Sequence, residues 1–112
     1  MTARLDTTPA ISEAEFCAQI LDLARIFRWR SAHFRPALTK HGWRTPVQGD
    51  GAGWPDLVLV RPPRIVVAEL KAAKGRLRPE QIEWLADFGA CPGVETFEWR
   101  PKDWDQIAEV LR

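Results

Sequence analysis

Asp56-Leu57-Val58-Leu59-Val60-Arg61-Pro62-Pro63-Arg64-Ile65-Val66-Val67-Ala68-Glu69-Leu70-Lys71 reads as two β-strands joined by a short turn. Both arms are rich in Val, Ile and Leu, and prolines stand between them, which is the strand-and-turn signal. A turn centred between Pro62 and Pro63 pairs Arg61 with Arg64 and, carried outward, sets Asp56 opposite Glu69. Directly paired residues hold their Cβ atoms roughly 4.5–5.5 Å apart, close enough for two carboxylates to share one cation. Side chains alternate along a strand, so Lys71 shares the face of Glu69. Two prolines exclude a type I′ turn, and a wider loop is the alternative to this register.

An Asp or a Lys at a strand end is ordinarily just a solvated end. Glu69 is different, because it follows Ile65-Val66-Val67-Ala68 and precedes Leu70. That is an apolar run of the kind found in strands covered on both faces. An ionised carboxylate there is costly unless it is paired or bound to a metal. Lys71 as sole partner leaves Asp56 repelling Glu69, whereas a divalent cation reconciles all three charges.

Asp56 followed by Glu69-Leu70-Lys71 on the next strand resembles the signature of the PD-(D/E)XK nucleases. The fuller string is Gly53-Trp54-Pro55-Asp56-Leu57, Glu69-Leu70-Lys71, Gly75, then Pro79-Glu80-Gln81 with Trp84-Leu85. It is similar, more narrowly, to the VRR-NUC (virus-type replication-repair nuclease) family, over about Ser12 to Arg112. The resemblance implies an α/β (α+β) restriction-endonuclease-like αβββαβ core and metal-dependent hydrolysis of DNA phosphodiester bonds, leaving a 5′-phosphate and a 3′-hydroxyl. It implies catalytic roles for Asp56, Glu69, Lys71 and Gln81. Mg²⁺, or Mn²⁺ in its place, would be held by Asp56, Glu69 and the Leu70 carbonyl. An acid on the first helix would help, Glu13 through a water. It further implies branched, Holliday-junction-like DNA as substrate, a homodimer, and a bacterial or phage replication or repair setting. Two rival readings are a non-catalytic DNA-binding or packaging module on the same fold and a restriction-type or RNA-directed nuclease.

Composition fits such a domain. The chain has 112 residues, 46% apolar and 28% charged, with a net charge of +1, so nucleic-acid binding has to come from a local patch rather than a general polycation. Residues 1–10 read as a flexible tail and 11–112 as one nuclease domain. Cys17 and Cys91 stand far apart with no CxxC spacing, which indicates neither a zinc site nor a disulfide framework. The expectation is a soluble, cytoplasmic protein with no membrane span and no leader.

Ser12-Glu13-Ala14-Glu15 is a capping box, and Phe16, Ile20, Leu23, Ala24 and Phe27 recur at helical spacing behind it. Glu13 falls on the same face as Phe16 and Ile20, while capping accounts for Glu15. A first-turn acid answering the helix dipole is the plain alternative for Glu13. Trp29 to Phe34 reads as a strand, on which His33 serves either a phosphate and a water or the structure alone. Arg35 to Gly53 reads as an irregular, DNA-facing arm, with Arg35, Lys40 and Arg44 for phosphates and Trp43 for an exposed base; the alternative is a solvated loop with Trp43 tucked inward. Gly53 and Pro55 aim Asp56 through backbone geometry, and Trp54 reads as packing.

Lys74, Arg76 and Arg78 form a basic stretch after Lys71, and Pro79 opens a second helix. Ile82, Leu85, Ala86 and Gly89 give that helix one stripe, while Gln81 borders a second cluster with Trp84, Leu85 and Phe88. Arg78 stands where the family commonly has a hydroxyl residue, so a side-chain N-cap is lost. Val94 to Trp99 reads as the last strand. Asp103 is the expected N-cap of a closing helix striped by Trp104, Ile107, Ala108 and Leu111.

Overall fold

The computed structural model describes residues 10–112 except Pro36, Thr45, Ala73 and the side chain of Arg44. The expected tail, apart from Ala10, lies outside the described residues, as does the Arg44 side chain. The elements run α1 (Glu13–Ile26), β1 (Arg30–His33), β2 (Ala37–Thr39), β3 (Gly42–Arg44), β4 (Leu57–Arg61), β5 (Arg64–Leu70), α2 (Pro79–Gly89), β6 (Val94–Trp99) and α3 (Trp104–Leu111). Four strands form one mixed sheet in the order β1-β4-β5-β6, antiparallel except for the parallel β5–β6 pair.

The β4–β5 register pairs Leu57 with Ala68 through to Arg61 with Arg64, as the proline-centred turn requires. A cis bond joins Pro62 to Pro63, and the two prolines alone make the turn. Leu57, Leu59, Val66, Ala68, Leu70 and Trp99 project to one side of the sheet. There they close a single core with Phe16, Ile20 and Ala24 of α1 and with Ile107 and Leu111 of α3. Burying each of these aliphatic side chains stabilises the fold by about 1.5–3 kcal/mol. The alternate residues of β5, Val67 and Glu69, face α2, so five consecutive residues from Val66 to Leu70 are buried. The continuous apolar run therefore does mark a strand covered on both faces.

Capping of α1 follows its sequence signal, with Ser12 Oγ accepting from the Glu15 N–H at 3.0 Å. Three local readings need correction. The Arg35–Gly53 stretch is not wholly irregular, because β2 and β3 form a small antiparallel hairpin within it, Leu38 paired with Trp43. Gly42, at φ +91°, closes its turn, and Thr39 Oγ1 bonds both the His41 N–H and the Gly42 carbonyl. Asp103 does not cap α3 with its side chain. The chain turns one step earlier, in a 3₁₀ turn over Pro101–Asp103, and Asp103 Oδ2 accepts from the Arg100 N–H behind it at 2.9 Å. On α2, the inward face is the Gln81, Trp84, Leu85 and Phe88 side, while Ile82 is exposed. Bonds from Gln81 and Trp84 to the sheet and the preceding loop set that rotation and outweigh the burial of one isoleucine.

The arginines flanking the hairpin turn do structural work that was not read from the sequence. Arg61 and Arg64 both stack on the Trp29 ring, 4.6 and 5.0 Å from its centroid. Arg61 donates to the carbonyls of Phe27, Leu111 and Arg112, and Arg64 to that of Val110. Trp29 Nε1 adds a bond to Leu111 O at 2.8 Å. Carbonyls at a helix C-terminus lack intrahelical partners and carry partial negative charge, so cations are favourable there. Arg64 also forks onto both Glu95 oxygens at 2.7 Å, which pulls the Glu95 carboxyl below its ordinary pKa. Arg64→Ala is expected to lower the unfolding free energy by about 1–3 kcal/mol in urea titration, a charge-assisted set discounted for partial exposure. Arg64→Lys should recover only part of this, since an ammonium cannot fork.

Candidate active site

At the open end of the β4–β5 hairpin the next pair beyond Leu57–Ala68 is Asp56 and Glu69. Their carboxyl groups come within hydrogen-bonding reach of one another. Asp56 Oδ2 accepts from the Leu70 N–H at 2.8 Å, and its own carbonyl accepts from the Phe34 N–H. These two bonds fix the acid to the central strand on one side and to the end of β1 on the other.

Glu69 is fully buried. Its Oε1 accepts from Gln81 Nε2 at 3.1 Å, and its Oε2 has no donor among the described residues. Two ionised carboxylates cannot hydrogen-bond each other, so contact with Asp56 satisfies Glu69 only when a proton is shared. Burial first, then the bond and charge of Asp56, push Glu69 up to about 9, against the opposing pull of Lys71 and Gln81. The direction is what matters: without a cation, Glu69 holds a proton at neutral pH.

Gln81 bridges the site to α2. Its Oε1 accepts from the Arg78 N–H at 2.8 Å, and since that N–H can only donate, the amide NH₂ must face Glu69. Arg78 itself supplies no side-chain cap, as the missing hydroxyl predicts. The glutamine therefore does half the capping of α2 while donating into the site.

Gly53 makes this approach feasible. It has φ +80°, and a Cβ there would lie 2.5 Å from the Glu80 carbonyl carbon and 2.7 Å from the Gln81 nitrogen. Trp54 is packing, as read, meeting Phe34, Trp84 and Phe88 edge-on, while Trp84 Nε1 donates to the carbonyls of Asp50 and Ala52. Buried Pro55 follows and leads into Asp56.

Lys71 leaves the sheet end with its N–H bonded to Trp99 O at 3.0 Å. Its charge reaches both Glu69 and Glu13. Its alkyl stem lies against Gly75, where a Cβ would come 3.2 Å from Lys71 Cδ. Arg100 holds the intervening turn through the Ala72 carbonyl at 2.9 Å.

A cleft of about 420 Å³ opens beside Asp56, lined by Glu13, Ala14, Cys17, His33, Arg35, Trp43 and Leu70. Glu13 is thus the first-helix acid that meets the site; burial of its carboxyl and then the Asp56 charge raise its pKa, with Lys71 opposing. Cys17, one helical turn on, was not singled out from the sequence, although its spacing from Glu13 puts both on one face. Burial and the neighbouring acids push its thiol up to about 11, so it is a neutral wall rather than a nucleophile. Burial lowers the His33 pKa despite Asp56, leaving a neutral imidazole at pH 7. Lys40 is exposed on the hairpin turn, and Lys74, Arg76 and Arg78 are exposed in the segment between β5 and α2. Among the described residues no three His, Cys, Asp or Glu side chains converge as a ready metal cluster; the close pair is Asp56 with Glu69.

The VRR-NUC domain matches residues 9–98, most of the chain. The chain belongs to the VRR-NUC family. Among curated proteins, none matches it. Membership carries with it nuclease chemistry of the PD-(D/E)XK type, and in the fold Asp56 and Glu69 lie at the open end of the β4–β5 hairpin with Lys71 just past the end of β5. None of the helices among the described residues is long and apolar enough to cross a membrane.

Proposed function

We propose that this protein is a Mg²⁺-dependent DNA endonuclease, with Mn²⁺ able to substitute, acting on branched, junction-like DNA as a cytoplasmic homodimer. The observation that carries the metal dependence is the fully buried Glu69, one oxygen of which has no donor among the described residues, held against a second carboxyl. Such a pair is unfavourable when both groups ionise, and a hard divalent cation, which prefers oxygen ligands, removes the conflict. Asp56, Glu69 and the Leu70 carbonyl would hold it, with Glu13 reaching it through a water. When bound, the cation supplies an activated water and charge neutralisation at the phosphate.

The chain's own groups do the rest. Gln81 keeps Glu69 oriented, and the Asp56–Leu70 bond keeps the two acids in register. The Lys71 ammonium orients the attacking water and faces the negative charge that builds on the phosphate oxygens. Arg35, Lys40, Arg44, Lys74, Arg76 and Arg78 are candidates for the DNA backbone. A pure binding module gains nothing from a buried pair of acids facing phosphates, which argues against the non-catalytic rival.

The test is nicking of supercoiled plasmid, followed by junction, flap, single-stranded and linear duplex substrates compared in Mg²⁺. Cleavage is expected with Mg²⁺, none with EDTA, and none for Lys71→Ala, with junctions cut fastest. Metal-independent cutting, or full activity in Lys71→Ala, would end the proposal.

A further inference from the structure

We infer that the β2–β3 hairpin is a stacking arm. In this reading the Trp43 indole, flanked by Leu38, packs on an unpaired base of the DNA strand whose phosphate enters the Asp56 cleft. The inference rests on the nuclease reading and deepens it by naming the substrate feature recognised.

Leu38 and Trp43 are direct cross-strand partners, so they share one face of the hairpin. They are 70% and 65% exposed. Two large apolar side chains paired on an exposed face mark an interaction surface rather than a core. Trp43 is also a wall of the cleft that contains Asp56 and Arg35, so whatever meets the indole is continuous with the site. The turn of the same hairpin carries Lys40 and His41, both exposed.

Charge selects the occupant. Asp50, Glu80, Glu83 and Asp87 line the cavity on the α2 side of the molecule, which repels a phosphodiester backbone. The hairpin stretch from Arg35 to Arg44 carries no acid and offers Arg35 and Lys40 to a phosphate, while the acids of the adjoining cleft, Glu13 and Asp56, are those assigned to the cation. An aromatic ring beside cations that track phosphates is the chemistry of unpaired nucleic acid, since every base has a face to stack and paired bases hide theirs. The Thr39–His41–Gly42 bonds hold the turn in shape, so the indole is presented rather than loosely tethered.

The test is binding by fluorescence anisotropy in Ca²⁺, using a duplex with a central unpaired loop and a fully paired duplex of equal length. Trp43→Ala is expected to weaken loop binding about 5- to 150-fold, the range of one base–aromatic stack, and to change duplex binding less than about twofold. Trp43→Phe should keep most of the affinity. A 2-aminopurine in the loop should be quenched by the wild type and not by Trp43→Ala. Equal losses on both DNAs, no loss on either, or a fall in oligomeric mass on Trp43→Ala would overturn the inference, the last in favour of a second copy as occupant. A wild type that quenches the loop base yet never cleaves in Mg²⁺ would remove the nuclease reading and leave the stacking arm standing.

Discussion

Glu69→Gln is expected to yield a protein that is more stable than the wild type in EDTA at alkaline pH and that cleaves DNA about 10²–10⁴-fold more slowly. Both effects have one source. The wild-type carboxyl is fully buried, with one oxygen lacking a donor among the described residues, and relieving such a group recovers about 1–3 kcal/mol. An amide of the same shape still accepts from Gln81 and has its own N–H to offer Asp56. It cannot supply negative charge to a cation, and losing charge-stabilising groups at a phosphate costs rates of this order.

The pH dependence separates this from generic stabilisation. Glu69 is raised from 4.5 to about 9 in the fold, so the native state keeps a proton that the unfolded chain releases. Stability of the metal-free wild type therefore falls as pH rises through that window and is level outside it. His33, lowered from 6.5, changes charge on the acid side of this window, and Cys17, raised from 9.0 to about 11, begins to contribute only as pH nears 9. Between pH 7 and 8 the slope belongs to Glu69 alone among these groups. Melting temperatures in EDTA should decline across that interval for the wild type and stay nearly flat for Glu69→Gln. Mg²⁺ should raise the wild-type values, since a ligand that binds only the native state stabilises it, and leave the variant unmoved. Parallel slopes in the two proteins would refute the account.

Gly53→Ala is the second large effect. The substitution places a Cβ on a residue at φ +80° and drives it into the backbone of Glu80 and Gln81. A left-handed conformation costs an ordinary residue about 1–2 kcal/mol, and overpacking about 1–3 more. The combined loss of about 2–5 kcal/mol corresponds to a fall in melting temperature of roughly 10–25 °C. Gly93→Ala is the matched control: it has φ +81°, with no atom of the described residues within 4 Å of the added carbon, so it should show only the conformational part. The variant should also lose cleavage beyond what stability explains. Its collision is with the first turn of α2, and displacing that turn breaks the Gln81–Glu69 bond. Equal melting temperatures for the two alanine variants would show that the close approach carries no energy.

The hairpin register was legible only as the choice between a turn centred on the two prolines and a wider loop; the Arg61–Arg64 pair decides for the first, and from it the meeting of Asp56 with Glu69 follows by counting. The capping of α1 was legible for a similar reason, since Ser12 and the Glu15 N–H are three residues apart. The rotation of α2 was not. Two stripes, one through Ile82 and one through Gln81, fit a helical period equally well, and bonds from Gln81 and Trp84 to distant segments chose between them. The β2–β3 hairpin was missed because three-residue strands carry too little alternation to rise above their flanking prolines and glycines. The Arg61–Trp29–Arg64 stack was missed because its partners are the carbonyl ends of two helices, which no side-chain pattern announces.

The amino-acid order by itself determined the family, the paired strands and the meeting of Asp56 with Glu69, because these depend on short-range alternation and turn chemistry. Only the tertiary structure decided that Glu69 is wholly buried with an oxygen left over, that Gln81 faces it, and that Trp43 walls the same cleft. Desolvation and close approach are sums over segments far apart in the chain, and they come into being only when the sheet and its helices pack together.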